Sequence, residues 1–151
     1  MIVSLPPSQP PQLMVVIDTE EEFDWSQPLT REATDVTALR EIGRAQDIFD
    51  RFGIVPVYAV DYPVASQADQ APDLTAAIAD ARALVGAHLN SWVTPPFEEE
   101  LSEHFSFQGN LPKALEREKL IRLKAGIEER FGVTPVMHKA GRYGVGANTM
   151  E

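Results

Sequence analysis

The chain has 151 residues, of which 44% are hydrophobic and 24% charged, so one globular domain with a real core is expected rather than disorder. Its 13 Lys and Arg against 23 Asp and Glu leave a net charge of -10, which excludes the basic surface of a general nucleic-acid binder and attraction to an anionic membrane. With no cysteine, disulfides, thiolate catalysis and thiolate metal centres are excluded together.

In chain order, residues 1–12 are Pro-rich and predict an extended, flexible arm. They lack a basic signal-peptide n-region, and no apolar run approaches the ~18 residues of a membrane helix. A cytoplasmic protein is the expectation. Leu13–Ile17 is a continuous apolar run, the pattern of a strand buried on both faces. Thr34 or Asp35 would cap a helix reaching Phe52, with Leu39, Ile42, Ala45, Phe49 and Phe52 as its apolar stripe and Gly53 just past its end. Ile54–Val60 reads as a second strand with Pro56 near its start. Asp73 would cap a second helix, with Leu74, Ile78 and Ala81 inward.

Leu84–Leu89 predicts a third strand, followed by an irregular stretch from Ser91 to Asn110. Asn110 would cap a third helix with Pro112 in its first turn, Leu120, Leu123, Ile127 and Phe131 as its stripe, and Gly132 at its end. Val133–His138 reads as a fourth strand. Strands alternating with helices imply parallel pairing and right-handed crossovers. Asn148 has the look of a cap for a helix that does not follow, so the chain is expected to be the front part of a longer β/α array.

In β/α folds, chemistry collects beyond the C-terminal ends of the strands. There the sequence places Asp18, Glu20 and Glu21; then Asp61; then His88 and Asn90; then His138, Lys139, Arg142 and Tyr143. Asp18, Glu20, Glu21, Glu22 and Asp24 would raise one another's pKa unless a cation neutralised them. The bland reading is a solvated acidic turn. Against it, the run follows a buried strand and carries two aromatics, Phe23 and Trp25. Alternation puts Gly86, His88 and Asn90 on one face of the third strand. Gly141–Gly146 has glycines in the order G-x-x-G-x-G and no following Lys-Ser/Thr, so it is not read as a phosphate loop.

Taken in order, Val16–Trp25, Val60–Val64, Gly86–Phe97, Ser106–Pro112 and Lys139–Gly144 resemble the polysaccharide deacetylase family, also called the NodB-homology or carbohydrate esterase 4 family, in a cytoplasmic WalW-like branch. The resemblance implies an α/β fold, the front part of a distorted (β/α) barrel of about four parallel strands over residues 13–151. It implies a metal-dependent hydrolase removing acetyl groups from a carbohydrate, with a divalent cation, zinc, at the site. Asp18 would be the general base. Glu20 would be a metal ligand, with Glu21 as the other candidate, and His88 would supply an imidazole. Lys139, Arg142 and Tyr143 would position the catalytic acid and substrate. The second histidine of the family's motif is replaced, with Asn90 two residues after His88 and Trp92 four residues after it. An amide is a poor zinc ligand, so Asn90 would make the site weak. The alternative is a catalytically inactive remnant or carbohydrate-binding fragment. Four strands cannot close a barrel, so open edges and an uncovered apolar inner face predict a homodimer or other self-association.

Overall fold

A computed structural model of the chain describes residues 10–150. The arm expected over residues 1–12 therefore lies mostly outside the described residues. Four strands form one parallel sheet in the order β1 (Val16–Thr19), β2 (Val57–Val60), β3 (Leu84–Leu89), β4 (His138–Ala140). The sheet curls into a half-barrel with helices packed against it. Its register sets Asp18 beside Ala59, Ala59 beside Gly86, and His88 beside Lys139.

The helices follow the β/α alternation. A 3-10 turn, Thr37–Glu41, leads into α1 (Ile42–Arg51). Then come α2 (Tyr62–Ser66), α3 (Pro72–Ala79), α4 (Glu103–Ser106) and α5 (Lys113–Phe131). Tyr58 and Val60 of β2 and Val85, Ala87 and Leu89 of β3 face this helical layer. They pack there with Leu39, Val64, Leu74, Ile78, Leu123 and Ile127. Each fully buried aliphatic side chain of this kind contributes roughly 1.5–3 kcal/mol.

The opposite, concave face differs from the expected open apolar wall. Val57 is 6% and Ala59 0% exposed. Gly86 lies between them and β4, where an added Cβ would stand 2.8 Å from Met137 Cγ and 3.3 Å from Val57 Cγ1. The missing side chain lets Met137 lie across the floor of the curl. The space under His88 is filled from within rather than left for a partner.

Several expected boundaries move. Leu13–Val15 is outside the first strand, Leu13 and Met14 are exposed, and β1 is a half-buried edge rather than a doubly covered strand. Neither Thr34 nor Asp35 caps the first helix. Its entry is held by Glu22, whose Oε1 accepts from Ala38 N at 2.6 Å and Thr37 Oγ1 at 2.8 Å. Gln46 replaces Phe52 on the buried stripe, because its amide is satisfied by Tyr58 Oη, Asp50 and the Arg82 carbonyl. The second strand is the shorter Val57–Val60, with Pro56 just before it. Asp73 sits inside the first turn of α3, after Pro72, and Ala81 is an exposed residue with φ +56° rather than part of an apolar stripe. Asn110 Nδ2 donates to the His104 carbonyl instead of capping α5, whose first turn starts from Pro112. The fourth strand is His138–Ala140 rather than Val133–His138, although Val136 N and Met137 O already bond to β3.

The apolar stripe of α5 hides a charge. Lys119 is 0% exposed. Its ammonium donates to the carbonyls of Ser91 (3.0 Å), Thr94 (2.5 Å) and Pro96 (2.7 Å) and pairs with Glu99 Oε1 at 3.1 Å. Burial holds its pKa below the ordinary lysine value, against the opposing pull of Glu99. One side chain thus pins the irregular segment leaving β3 onto α5. Lys119→Met should cost about 3–5 kcal/mol in urea unfolding, because three carbonyls lose their donor and the buried Glu99 side chain keeps only its 3.8 Å ion pair with Arg31. Adding Glu99→Gln should recover part of the loss. Equal stability of the single and double variants would show that the buried charge is not what the loop depends on.

Candidate functional site

The cleft beyond the strand ends is built from β1, β3 and β4 and the segments that follow them. Asp18 lies near the end of β1, Glu20 just past it, His88 and Asn90 at the end of β3, and Lys139 in β4 with Arg142 and Tyr143 after it. With Trp25 and Ala140 these line a cleft of about 160 Å³. Seven of the eight residues singled out from sequence meet there; Glu21 is the exception.

His88 is 3% exposed. Its Nδ1 is 3.1 Å from the Lys139 carbonyl and its Nε2 3.0 Å from Glu20 Oε2. A carbonyl oxygen only accepts, so Nδ1 carries a proton and donates it. That orients the ring and leaves Nε2 facing a carboxylate. A bare lone pair would repel Glu20, so a positive species belongs between them, either a proton or a cation.

Asn90 is 2% exposed. Its Nδ2 donates to Glu20 Oε2 at 2.8 Å and to Glu21 Oε2 at 3.1 Å. Two carboxylates on one side fix the amide with its NH₂ toward them. Its Oδ1 instead lies against Gly141, where an added Cβ would come within 2.3 Å of it and 2.6 Å of the Leu89 carbonyl. In this arrangement Asn90 enters the site as a donor that bridges carboxylates. The His88 hydrogen bond, helped by Asn90 and by the positive charge of Lys139, holds the Glu20 carboxyl below its ordinary pKa despite partial burial.

Lys139 Nζ forms an ion pair with Asp18 Oδ2 and lies 5.0 Å from the Tyr143 ring centroid. Arg142 and Tyr143 both have left-handed backbone, with φ of 54° and 55°. Such a conformation costs roughly 1–2 kcal/mol per residue without glycine. It is held by Arg142, whose Nη1 donates to Ser106 Oγ at 2.6 Å while its guanidinium lies 4.2 Å from the Phe107 ring and 5.6 Å from the Trp25 ring. Tyr143 projects outward, 83% exposed. The glycines that follow form a packing seam. Gly109 N donates to Gly144 O at 2.8 Å, and a Cβ on Gly146 would stand 2.4 Å from Gly109 Cα. His138, on the other face of β4, does not enter the cleft; burial lowers its pKa.

Glu21 turns behind the cleft. It is 4% exposed and lies against Asp61, which is 0% exposed. Asp61 Oδ1 accepts from Val64 N at 2.9 Å, capping α2, and Oδ2 accepts from Glu21 N at 3.1 Å. Burial, then the Glu21 carboxylate, raises the Asp61 pKa well above the ordinary range. Glu21 Oε1 has no hydrogen-bond partner among the described residues, and a proton kept on Asp61 would supply the donor it lacks. Sequence reading placed Asp61 at the rim without a role. Its signal was an Asp two residues before a Pro, the start of a short helix.

Three of the five acids move opposite to the expected rise. Glu20, Glu22 and Asp24 are each lowered by hydrogen bonds, from His88, Ala38 N and Ser26 respectively. Among the described residues, no group of three or more His, Asp or Glu side chains is arranged to hold a metal ion, and no helix is long and apolar enough to cross a membrane.

Asp61 has a pKa raised on folding, so its contribution is fully present below the unfolded value near 3.9 and is lost as pH rises through the folded value. Asp61→Asn removes that titration while keeping a donor for Glu21. Urea midpoints at a series of pH values from 4 upward should show the wild type losing stability relative to the variant as pH rises. Parallel curves would place the buried proton elsewhere.

Comparison with known proteins adds no relative: no family model, curated protein or solved structure matches this chain.

Proposed function

We propose that this cleft is the centre of a metal-dependent hydrolase that removes acetyl groups from a carbohydrate. The observation that carries the reading is the His88–Glu20 pair. Its imidazole is fixed from behind by a backbone carbonyl, and its other nitrogen and a carboxylate oxygen lie 3.0 Å apart, facing a proton or a cation that joins them. An imidazole and a carboxylate are donors that suit a divalent cation such as zinc, so these two residues would hold it. When bound, such a cation polarises an acyl oxygen and eases ionisation of a water.

The chain's own residues supply the rest. Asp18 accepts a proton from the attacking water, and its partner Lys139 keeps the carboxylate oriented across the cleft. Asn90 fixes Glu20 through a donated hydrogen bond. Arg142 and Tyr143 form the rim that meets the sugar. Two donors are fewer than the three protein ligands of a usual catalytic zinc site, so metal affinity is expected to be weak. A second reading, a carbohydrate-binding remnant without turnover, draws support from the same residues: Asp18 is already matched by Lys139, and Glu20 by His88 and Asn90.

Zinc titration by calorimetry should show binding that weakens in His88→Ala and tightens in Asn90→His. Acetate release from N-acetylglucosamine oligomers should fall about 10²–10⁴-fold in Asp18→Asn, with zinc binding little changed. Zinc binding unaffected by His88→Ala would remove His88 from the ligand set. Zinc binding without acetate release in the wild type would favour the remnant reading.

Self-association belongs to the same proposal, through the expected open edges rather than the inner face. The concave face is filled, but β1 and β4 have no further neighbour in the described sheet. Leu13, Met14, Phe52, Val55 and Val136, around the starts of the strands, are each at least half exposed. Light scattering after size exclusion should show a dimer at tens of micromolar, and Met14→Lys with Val136→Lys should shift it to monomer. A wild-type monomer at that concentration would show that the edges and this rim stay solvated.

A further inference from the structure

Glu116 is a buried acid that the candidate cleft does not use. It sits in the first turn of α5 and is 2% exposed. Its Oε1 accepts from Gln108 Nε2 at 3.0 Å and from Thr149 Oγ1 at 2.5 Å. Its Oε2 is buried with no partner among the described residues. Buried polar atoms are almost always hydrogen-bonded, so a donor is expected to reach Oε2 from the space that Glu116 borders. That space is a groove of about 420 Å³ between α5 and the segment carrying Asn148 and Thr149. Its volume falls in the size class of small-molecule sites, about 300–1,000 Å³.

Helical spacing orders the α5 wall of the groove into two rows. Glu116 and Leu120 form the inner row, and Leu120 packs on the core. Arg117 and Ile121 form the outer row; Arg117 is exposed and Ile121 is 42% exposed. One end of the wall thus sets a carboxylate oxygen in need of a donor beside a guanidinium. One turn on, about 6 Å along the axis, the wall is apolar in both rows. The opposite wall is held in place, because Thr149 Oγ1 accepts from Gly146 N at 2.9 Å while donating to Glu116.

These features select one kind of ligand. A phosphate or a fatty acid would suit Arg117 but would set a second acid against Glu116. An amine alone would suit Glu116 and leave the guanidinium unmatched. A molecule with an ammonium and a carboxylate on one carbon answers both neighbours at once and sends its side chain along Leu120 and Ile121. α5 also carries six of the chain's 13 Lys and Arg, so a carboxylate approaches a positive strip on an otherwise acidic molecule.

We infer that this groove binds a free α-amino acid with an apolar side chain, its ammonium on Glu116 and its carboxylate on Arg117. The site shares no residue with the cleft at the strand ends and stands apart from the deacetylase reading. Calorimetric titration of the full chain with leucine should show binding roughly tenfold tighter than with N-acetyl-leucine, leucinamide or glycine, each of which lacks one of the three recognised groups. Arg117→Ala should bring leucine and leucinamide to equal affinity, and Glu116→Gln should do the same for leucine and N-acetyl-leucine. Circular dichroism melts accompany both variants, and the exposed Arg117→Ala keeps the comparison valid if Glu116→Gln unfolds. No leucine binding up to about 10 mM, where even a millimolar complex would be mostly formed, would overturn the site and leave water as the donor to Glu116. Equal wild-type affinity for leucine and any one of the three probes would also overturn it, as would a preference for leucine over leucinamide that survives Arg117→Ala.

Discussion

Five acids within seven residues, Asp18 to Asp24, are the constraint around which the site is arranged. Two like charges 4 Å apart near a protein surface repel by about 4 kcal/mol, so a folded loop carrying five needs an answer for each. The answers come from different elements. Asp18 takes Lys139 of β4, Glu20 takes His88 of β3 and Asn90 just past it, and Glu21 takes Asn90 while its backbone N–H donates to Asp61 beyond β2. Glu22 accepts from the backbone entering α1, and Asp24 from Ser26 within its own turn. The acidic loop is thus the tie between the strand ends.

The fold supplies these partners through alternation and close approach. On β3 and just past it, Gly86, His88 and Asn90 face the concave side, while Val85, Ala87 and Leu89 join the core. Parallel register brings Lys139 beside His88. Gly141 lets the chain after β4 pass against Asn90 and the Leu89 carbonyl, a separation that no side chain would fit. Immediately after Asn90, Lys119 gathers three carbonyls of the departing segment. The polar end of β3 is held by the acid loop on one side and by a buried ammonium on the other.

This division explains which parts were legible in the sequence. Leu84–Leu89 and the long amphipathic α5 carry their own periodicity, and both stand close to where the pattern put them. The four- and five-residue helices α4 and α2 are too short to show a period. The cap of the first helix could not be read locally, because Glu22 reaches it from 15 or more residues away. The run Leu13–Ile17 lacks its expected burial because it leads into an edge strand with only one neighbour. Lys119 and Glu116 lie off the apolar stripe read for this helix, yet both are buried, Lys119 under the carbonyls of residues 91–96 and Glu116 under Gln108 and Thr149. At the cleft, residue identity was legible because strand ends converge. Side-chain direction was not: nothing in the sequence says that Glu21 turns inward to Asp61, or that Asn90 offers its NH₂ and not its oxygen.

The partners also separate scaffold from chemistry among the acids. Glu21 and Asp61 are sealed, and Glu22 and Asp24 are spent on backbone amides. Glu20 is fixed by two donors at once. Asp18 is different: among the described residues it is bonded by Lys139 alone, and its side chain is 36% exposed, with the lysine 24% exposed. An ion pair in contact with water is cheap to open, so a substrate entering the cleft meets one carboxylate that can change partners without disturbing the fold. The same loop then places Trp25 seven residues on, locked to Phe23 and Trp92. A rigid aromatic surface and a releasable acid on one short segment make the loop after β1 both the brace of the half-barrel and its working edge.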